Sequence, residues 1–124
     1  MTSTSKTIKN ETSYHEKGWG SELWIVNNDK YCGKILTFKK GKKCSWHFHK
    51  LKDETFYLRS GKLLVHCSEA DDRDIASFSI LEPGDSLHIY PGLRHQMLAL
   101  EDSEMFEFST QHYEEDSYRI LKGD

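Results

Sequence analysis

The sequence places two histidines and an acid close together, in the order His47, His49 and Glu54. Side chains of a β-strand alternate between two faces, so His47 and His49 project from the same face and reach a common point. Glu54 follows after a short turn and can point into the same space. Two imidazoles and a carboxylate suit one divalent transition metal, such as Fe, Mn, Ni, Co or Zn. These residues predict a metal site with positions left open for a small-molecule substrate.

His95 is the fourth candidate metal ligand, because it follows a Pro91-Gly92 turn and opens the next predicted strand. Strand parity extends the site along the chain. If Glu54 faces inward, Phe56 does too, and if His95 faces inward, Met97 does too. Phe56 and Met97 are therefore candidate substrate contacts in a pocket that combines a metal with an apolar wall.

His88 and Tyr90 share one face of the predicted strand 86–90. If that face is inward, His88 is a catalytic acid or base alongside Glu54, and Tyr90 is a substrate hydrogen-bonding group. The alternation fits equally well with both side chains facing solvent on the outside of a sheet. The sequence leaves this choice open.

Three cations, Lys50, Lys52 and Arg94, adjoin the candidate ligands and are expected at the mouth of the site. Of these, Arg94 is the candidate substrate contact, because cations at that position suit a phosphate or a carboxylate. Trp46 and Phe48 alternate with the candidate ligands and so face away from the metal. We expect them to pack a second layer or a dimer interface.

The elements that position these residues are short. Turn residues separate nine β-like runs, whose spacing of roughly 8–12 residues predicts an all-β sandwich or barrel. The runs are 23–26, 34–39, 44–49, 55–59, 62–67, 75–80, 86–90, 96–100 and 105–109. The segment 114–122 alone has some helical periodicity. Residues 1–16 are polar without periodicity, which predicts a flexible N-terminal arm before a single domain over residues 17–124.

Composition excludes several classes of function. A length of 124 residues is that of one domain, and the 36% apolar content supports a core. The net charge of −3 disfavours a dedicated nucleic-acid binder. The three cysteines form no Cys-x-x-Cys pair, so we expect ordinary reduced thiols. No apolar run suits a signal peptide or a membrane span, so we expect a cytoplasmic protein without membrane contact.

The other histidines receive ordinary interpretations. His66 lies in the middle of a predicted strand beside Cys67, which is typical of a packed or edge position. His15 and His112 lie in polar surroundings and are expected to be solvated. Spacing thus divides seven histidines into three ligands, one conditional pocket residue and three without a predicted role.

The chain resembles the cupin superfamily in two motifs. Gly41, His47, His49, Glu54 and Gly61 match the first motif at each fixed position, and Gly84, Gly92 and His95 match the second in register. Tyr90 and Ala99 stand where the second motif has proline and asparagine. The resemblance implies a double-stranded β-helix, or jelly-roll, barrel with the metal held inside by His47, His49, Glu54 and His95. It also implies a homodimer.

The segments that flank the motifs, 17–22 and 106–119, resemble those around the cupin domain of type II mannose-6-phosphate isomerases. This resemblance implies a metal-dependent isomerase or epimerase acting on a sugar or sugar phosphate. Two alternatives remain. The same ligand set supports a non-haem Fe(II) dioxygenase of a small molecule, and the fold also serves noncatalytic sugar-binding proteins.

Overall fold

The computed structural model describes residues 6–124, and within that range the chain is almost entirely strands and turns. The strands are β1 (Ser13–Lys17), β2 (Gly20–Asn27), β3 (Cys32–Phe38), β4 (Trp46–Phe48), β5 (Glu54–Ser60), β6 (Leu63–Ser68), β7 (Ser77–Leu81), β8 (Ser86–Ile89), β9 (Arg94–Ala99), β10 (Ser103–Ser109) and β11 (Tyr118–Leu121). Two single-turn 3-10 helices lie at Arg73–Ile75 and Glu114–Asp116. All nine predicted runs coincide with strands β2 to β10, and the all-β prediction is confirmed.

The strands form two antiparallel sheets that face each other. The larger sheet has the order β1-β2-β3-β10-β5-β8, and the smaller sheet has the order β11-β4-β9-β6-β7. Their inner faces enclose the core, as the alternating pattern of short strands requires. The predicted jelly-roll barrel is confirmed.

The inner face of the larger sheet divides into an apolar half and a charged half. On β3 the buried residues change from Leu36 to Lys34, and on β10 they change from Met105 to Glu107. The antiparallel register pairs Lys34 with Glu107 and Leu36 with Met105. Glu54, at the start of β5, lies in the same half as the two charged residues. Charged side chains from three strands therefore converge inside one end of the barrel.

The C-terminal segment 114–122, which has some helical periodicity, does not form an α-helix. It forms one 3-10 turn and then strand β11, in which Tyr118 pairs with Phe48 and Arg119 with His47. The Tyr118 ring also stacks on Phe48, with ring centres 5.1 Å apart. Backbone pairing and ring packing between distant segments override a weak local periodicity, and the segment joins the smaller sheet.

At the other end of the chain, Ser13–Lys17 forms β1 and pairs with β2. Residues 13–16 of the predicted arm thus belong to the sheet, while residues 1–5 of that arm lie outside the described residues. The division into an arm and one domain otherwise stays a prediction. No helix within residues 6–124 combines the length and the apolar character needed to cross a bilayer.

Trp46 and Phe48 face away from the barrel interior, as their parity predicts, and the same chain covers them. Trp46 is fully buried, and its Nε1 donates a 2.8 Å hydrogen bond to the backbone carbonyl of Asp71. The Phe48 ring lies between Tyr118 and the guanidinium of Arg94, which is 3.8 Å from the ring centre. These two aromatics therefore pack a second layer within this chain. Because they are covered by the same chain, they do not support a dimer interface, and the homodimer remains a prediction.

Candidate metal centre

Three histidines meet inside the barrel. His47 lies on β4 and faces its pairing partner His95 on β9, while His49 follows the end of β4. One ring nitrogen from each histidine lies within 4.8 Å of the corresponding nitrogen of the other two. The two-residue spacing brings His47 and His49 together, and the pairing of β4 with β9 adds His95 from a distant part of the sequence.

The turn before β9 helps to place His95. Gly92 has a φ of +89°, a conformation that residues with a Cβ rarely adopt. Its N–H donates a 2.7 Å hydrogen bond to the backbone carbonyl of His49. The Pro91-Gly92 turn therefore connects the segment of one candidate ligand directly to the segment of another.

Each of the three rings is oriented by a backbone carbonyl. A carbonyl accepts only from a protonated nitrogen, so Nδ1 carries the hydrogen and the Nε2 lone pair is left for a metal. The carbonyls are those of Ser45 for His47 (2.9 Å), Asp116 for His49 (2.9 Å) and Leu93 for His95 (3.0 Å).

Burial also keeps these rings neutral. It lowers the pKa of His47 well below its ordinary value, and the neighbouring His95 and His49 lower it further. Burial lowers the pKa of His95 to about 3, against the opposing effect of its bond to Leu93. The pKa of His49 is lowered by burial and then by the ammonium of Lys52. Imidazole binds a metal in its neutral form, so the three rings are already in the state that ligation requires.

Glu54 points inward beside the three rings, as predicted. Its Oε2 lies 3.8 Å from Nε2 of His49 and 3.6 Å from Nε2 of His95. This oxygen is buried and has no hydrogen-bond partner among the described residues. Burial, followed by the nearby Glu107, raises the pKa of the Glu54 carboxyl to about 8. A cation among the four groups would satisfy the unpartnered oxygen, so the donor set fits a divalent ion.

Lys52 lies inside the barrel and not at its mouth, which corrects the sequence expectation. Its side chain is 2% exposed, and its ammonium contacts Glu107 Oε2 at 2.6 Å and Glu54 Oε1 at 3.2 Å. It also donates to Nδ1 of His112 at 3.0 Å. Burial alone lowers the pKa of Lys52, but the two carboxylates raise it above its ordinary value. Lys52 is therefore a cation with all three donors engaged.

A cavity of about 310 Å³ opens onto this cluster. Its wall includes the three histidines and Glu54, together with Phe56 and Met97 as strand parity predicts. The polar wall is larger than the sequence indicates, because it also contains Glu22, Lys34, Lys52, Glu107 and His112. A cavity of this size with a few converging polar groups is typical of a small-molecule site.

Comparison with known proteins is consistent with these motifs and this architecture. Residues 34–110 match the protein-family profile described as a cupin domain. The chain belongs to the cupin family. No curated protein matches it in sequence.

Solved structures similar to this cupin share its fold at low sequence identity. CapF from Staphylococcus aureus has a TM-score of 0.76 and 18% identity, covering 90% of this chain and 34% of CapF. Oxalate decarboxylase from Bacillus subtilis has a TM-score of 0.76 and 19% identity, covering 93% and 33%. KdgF from Halomonas sp. has a TM-score of 0.70 and 17% identity, covering 83% and 91%. The chain thus spans about a third of the length of CapF and of oxalate decarboxylase.

Three of the predicted site residues of this cupin do not line the cavity: His88, Tyr90 and Arg94. On β8 the core position belongs to Ile89, which is 1% exposed, so the alternate residue His88 points outward. The His88 side chain is 60% exposed and pairs with Asp53 at 2.6 Å. His88 and Tyr90 therefore take the outward face, one of the two alternatives that the sequence leaves open, because the apolar side chain and not the polar one takes the interior position.

Tyr90 and Arg94 each contact an acidic side chain of this chain outside the cavity. The hydroxyl of Tyr90 donates a 2.6 Å hydrogen bond to Glu69. The guanidinium of Arg94 lies 2.8 Å from the carboxylate of Asp71 and covers the Phe48 ring. Because both side chains contact acidic residues outside the cavity, neither lies where a substrate in the cavity would contact it.

His112 is a cavity residue that sequence reasoning missed, since it was expected to be solvated. Its backbone N–H donates to the side chain of Asn27, whose amide donates back to the His112 carbonyl. The ring packs edge-on against Trp24, with centres 5.1 Å apart. Asn27 lies 85 residues away in sequence, so no local pattern points to this position.

Proposed function

We propose that this cupin is a metal-dependent isomerase or epimerase acting on a sugar or sugar phosphate. The observation that carries the proposal is the group of His47, His49, His95 and the unpartnered Glu54 oxygen, exposed to a polar cavity. Carbohydrate chemistry has further support in the flanking segments 17–22 and 106–119. One structural neighbour, CapF, is described as a capsular polysaccharide assembling protein.

A divalent ion at this site supplies Lewis acidity, which stabilises negative charge on substrate oxygens and acidifies the adjacent C–H bond. The proposed ligands are His47, His49, His95 and Glu54. The same carboxylate is the proposed base, because it lies in the cavity wall and its predicted companion His88 does not. Phe56 and Met97 provide the apolar wall against which the substrate packs.

His112 is proposed to donate a hydrogen bond to the substrate. Lys52 donates to Nδ1 of the ring, so in the neutral imidazole the remaining hydrogen is on Nε2. Burial, followed by the charge of Lys52, lowers the pKa of His112 to about 3, which keeps the ring neutral near pH 7. A neutral donor can bind a carbonyl or hydroxyl oxygen without adding charge to the site.

Solvent exchange tests the reaction. The purified metal-loaded protein is incubated in D₂O with a panel of aldose and ketose phosphates and the free sugars. The expected result is deuterium at the carbon next to the carbonyl, which His95→Ala abolishes and His88→Ala leaves unchanged. Absence of exchange into every member of the panel would refute the isomerase and epimerase proposal.

The same donor set also suits a non-haem Fe(II) dioxygenase, in which the substrate and oxygen occupy open positions on the metal. Oxygen consumption that requires Fe(II) and fails with Zn would favour this second function. Sugar binding without turnover, unchanged by His47→Ala, would instead indicate a noncatalytic binding protein.

A further inference from the structure

Lys34 is a second buried lysine in the cavity wall, and a single carboxylate contacts it within ion-pair distance among the described residues. Its side chain is 2% exposed, and in the described part of the chain its one ion pair is with Glu22 Oε1 at 3.4 Å. The ammonium also lies 4.2 Å from the centre of the Trp24 ring. Taking an ammonium out of water costs free energy, and a further anionic partner would help to repay it. The buried position of this ammonium in the cavity wall makes it a candidate contact for an anionic ligand.

The oxygen that faces Lys34 is also engaged elsewhere. Trp24 donates from Nε1 to the same Oε1 of Glu22 at 2.8 Å, a shorter contact than that of the lysine. An ammonium has three N–H donors, so two of those of Lys34 have no protein acceptor among residues 6–124. Lys52 differs, because its three donors face Glu54, Glu107 and His112. Of the two buried lysines, Lys34 is the one available to a ligand.

The charges in the wall favour an anion once a metal is bound. The charged side chains of the wall are four cations and four carboxylates, with a formal charge of zero: Lys17, Glu22, Lys34, Lys52, Glu54, Glu107, Glu114 and Arg119. A divalent cation changes this charge to +2. An anionic group on the ligand would offset it in a region where water does not screen the charges well.

We propose that Lys34 binds the phosphate or carboxylate group of an anionic ligand whose other oxygens face the histidine cluster. This inference rests on the proposed function, since it takes the cluster as the second contact, and it assigns the substrate class. Lys34 also takes the role of anion contact that the sequence analysis gave to other cations. Lys50 is exposed and lies over the Tyr118 ring, Lys52 is fully engaged, and Arg94 lies outside the cavity.

Calorimetric titration of the nickel-loaded protein tests the inference, with inorganic phosphate, acetate and uncharged glycerol as probes. Wild type is expected to bind phosphate or acetate and not glycerol, and the better anion distinguishes a phosphate ester from a carboxylic acid. Lys34→Met is expected to weaken binding of that anion about tenfold or more, as loss of a charge-assisted hydrogen bond implies. The matched control Lys39→Met removes an exposed lysine of the same segment and is expected to stay within about twofold of wild type.

Glu22→Gln is a second variant, which keeps Lys34 and is expected to change the anion affinity in the opposite direction. Removing the competing carboxylate charge is expected to tighten anion binding, so this variant decides the question if Lys34→Met does not fold. Wild type that binds neither anion, Lys34→Met that binds as wild type does, or Glu22→Gln that binds no more tightly would each overturn the inference. Failed deuterium exchange with intact Lys34-dependent binding refutes only the isomerase, so the two proposals fail separately.

Discussion

His49 donates a 2.9 Å hydrogen bond from Nδ1 to the backbone carbonyl of Asp116, 67 residues further along the chain. The carboxylate of Asp116 in turn accepts bonds from the backbone N–H groups of Lys50, Leu51 and Lys52, at 2.9 to 3.2 Å. One C-terminal residue thus holds both the ring of a candidate ligand and the loop that follows it. The metal site and the C-terminal segment are one structural unit.

Asp116→Ala is predicted to destabilise the fold and to weaken metal binding. It leaves three backbone donors without their acceptor, which costs about 2–4 kcal/mol after partial hydration. Loss of a group that orients a ligand lowers metal affinity by roughly 10–100-fold. Urea unfolding and competitive metal titration measure the two effects. The control is Glu115→Ala at the exposed neighbouring residue, and equal behaviour of the two variants would contradict the prediction.

Replacement of any one of His47, His49 and His95 by alanine is predicted to weaken metal binding by more than the roughly 10–100-fold expected for an orienting group. The increase in Tm on metal addition should disappear with it, because that increase reflects binding to the folded state. Metal analysis and thermal unfolding of the purified variants provide the measurements. His88→Ala removes an exposed histidine as the matched control and should retain wild-type metal content.

Lys52→Met is predicted to destabilise the protein by about 3–5 kcal/mol, because it leaves two buried carboxylates without their cation. These are the carboxylates of Glu107, 2.6 Å from the Lys52 ammonium, and of Glu54, 3.2 Å from it. Lys50→Met, at an exposed neighbour, should change stability little. Urea unfolding should also show that adding Glu107→Gln restores part of the stability. If the double variant Lys52→Met, Glu107→Gln is no more stable than Lys52→Met alone, the lost ion pair between Lys52 and Glu107 is not the cause of the destabilisation.

The metal-free protein is predicted to be most stable at about pH 6–7. Burial lowers the pKa of His95 and His112 to about 3 and those of His47 and His49 below 6.5, so these rings take up protons on unfolding. Their contribution is lost as the pH falls below about 6.5. Burial raises the pKa of Glu54 from 4.5 to about 8, so its contribution is fully present below pH 4.5 and is lost progressively as the pH rises from 4.5 to about 8. Below about pH 6.5 the four histidines lower the stability more than the one carboxyl raises it.

Urea unfolding in the presence of a chelator at about pH 5, 6.5 and 8 measures this profile. His95→Gln should reduce the loss of stability between pH 6.5 and 5, whereas the control His88→Gln should leave it unchanged. Stability that increases steadily as the pH falls from 6.5 to 5 would be inconsistent with neutral buried rings.

The candidate ligands were predictable from sequence because their geometry is local. A two-residue spacing fixes the common face of His47 and His49, and a turn before a strand fixes His95. Parity also placed Phe56 and Met97 correctly, since each follows an inward residue on the same strand. The same reasoning did not decide whether His88 faces inward or outward. Strand alternation shows which residues share a face but not which face is interior, and the burial of Ile89 in the structure decides this.

The remaining residues of the site could not be predicted from the sequence, because their types and neighbours are those of ordinary surface residues. Lys34, Glu107 and Asp116 are charged residues whose burial depends on partners from distant strands. His112 lies in the cavity wall, and its backbone bonds to Asn27 come from a segment that is distant in sequence. Local composition describes such residues as solvated, and only the assembled barrel gives them partners.

The change from Leu36 to Lys34 along β3, matched by the change from Met105 to Glu107 along β10, separates two tasks within one interior. Substitutions in the apolar half alter packing and leave the ligand-binding groups in place, so that half can be redesigned for thermal tolerance. If the proposed ligand binds there, substitutions in the charged half should alter which ligand the interior accepts. We expect that new specificities can be selected on this scaffold by changing one end of its strands while the opposite end keeps the barrel folded.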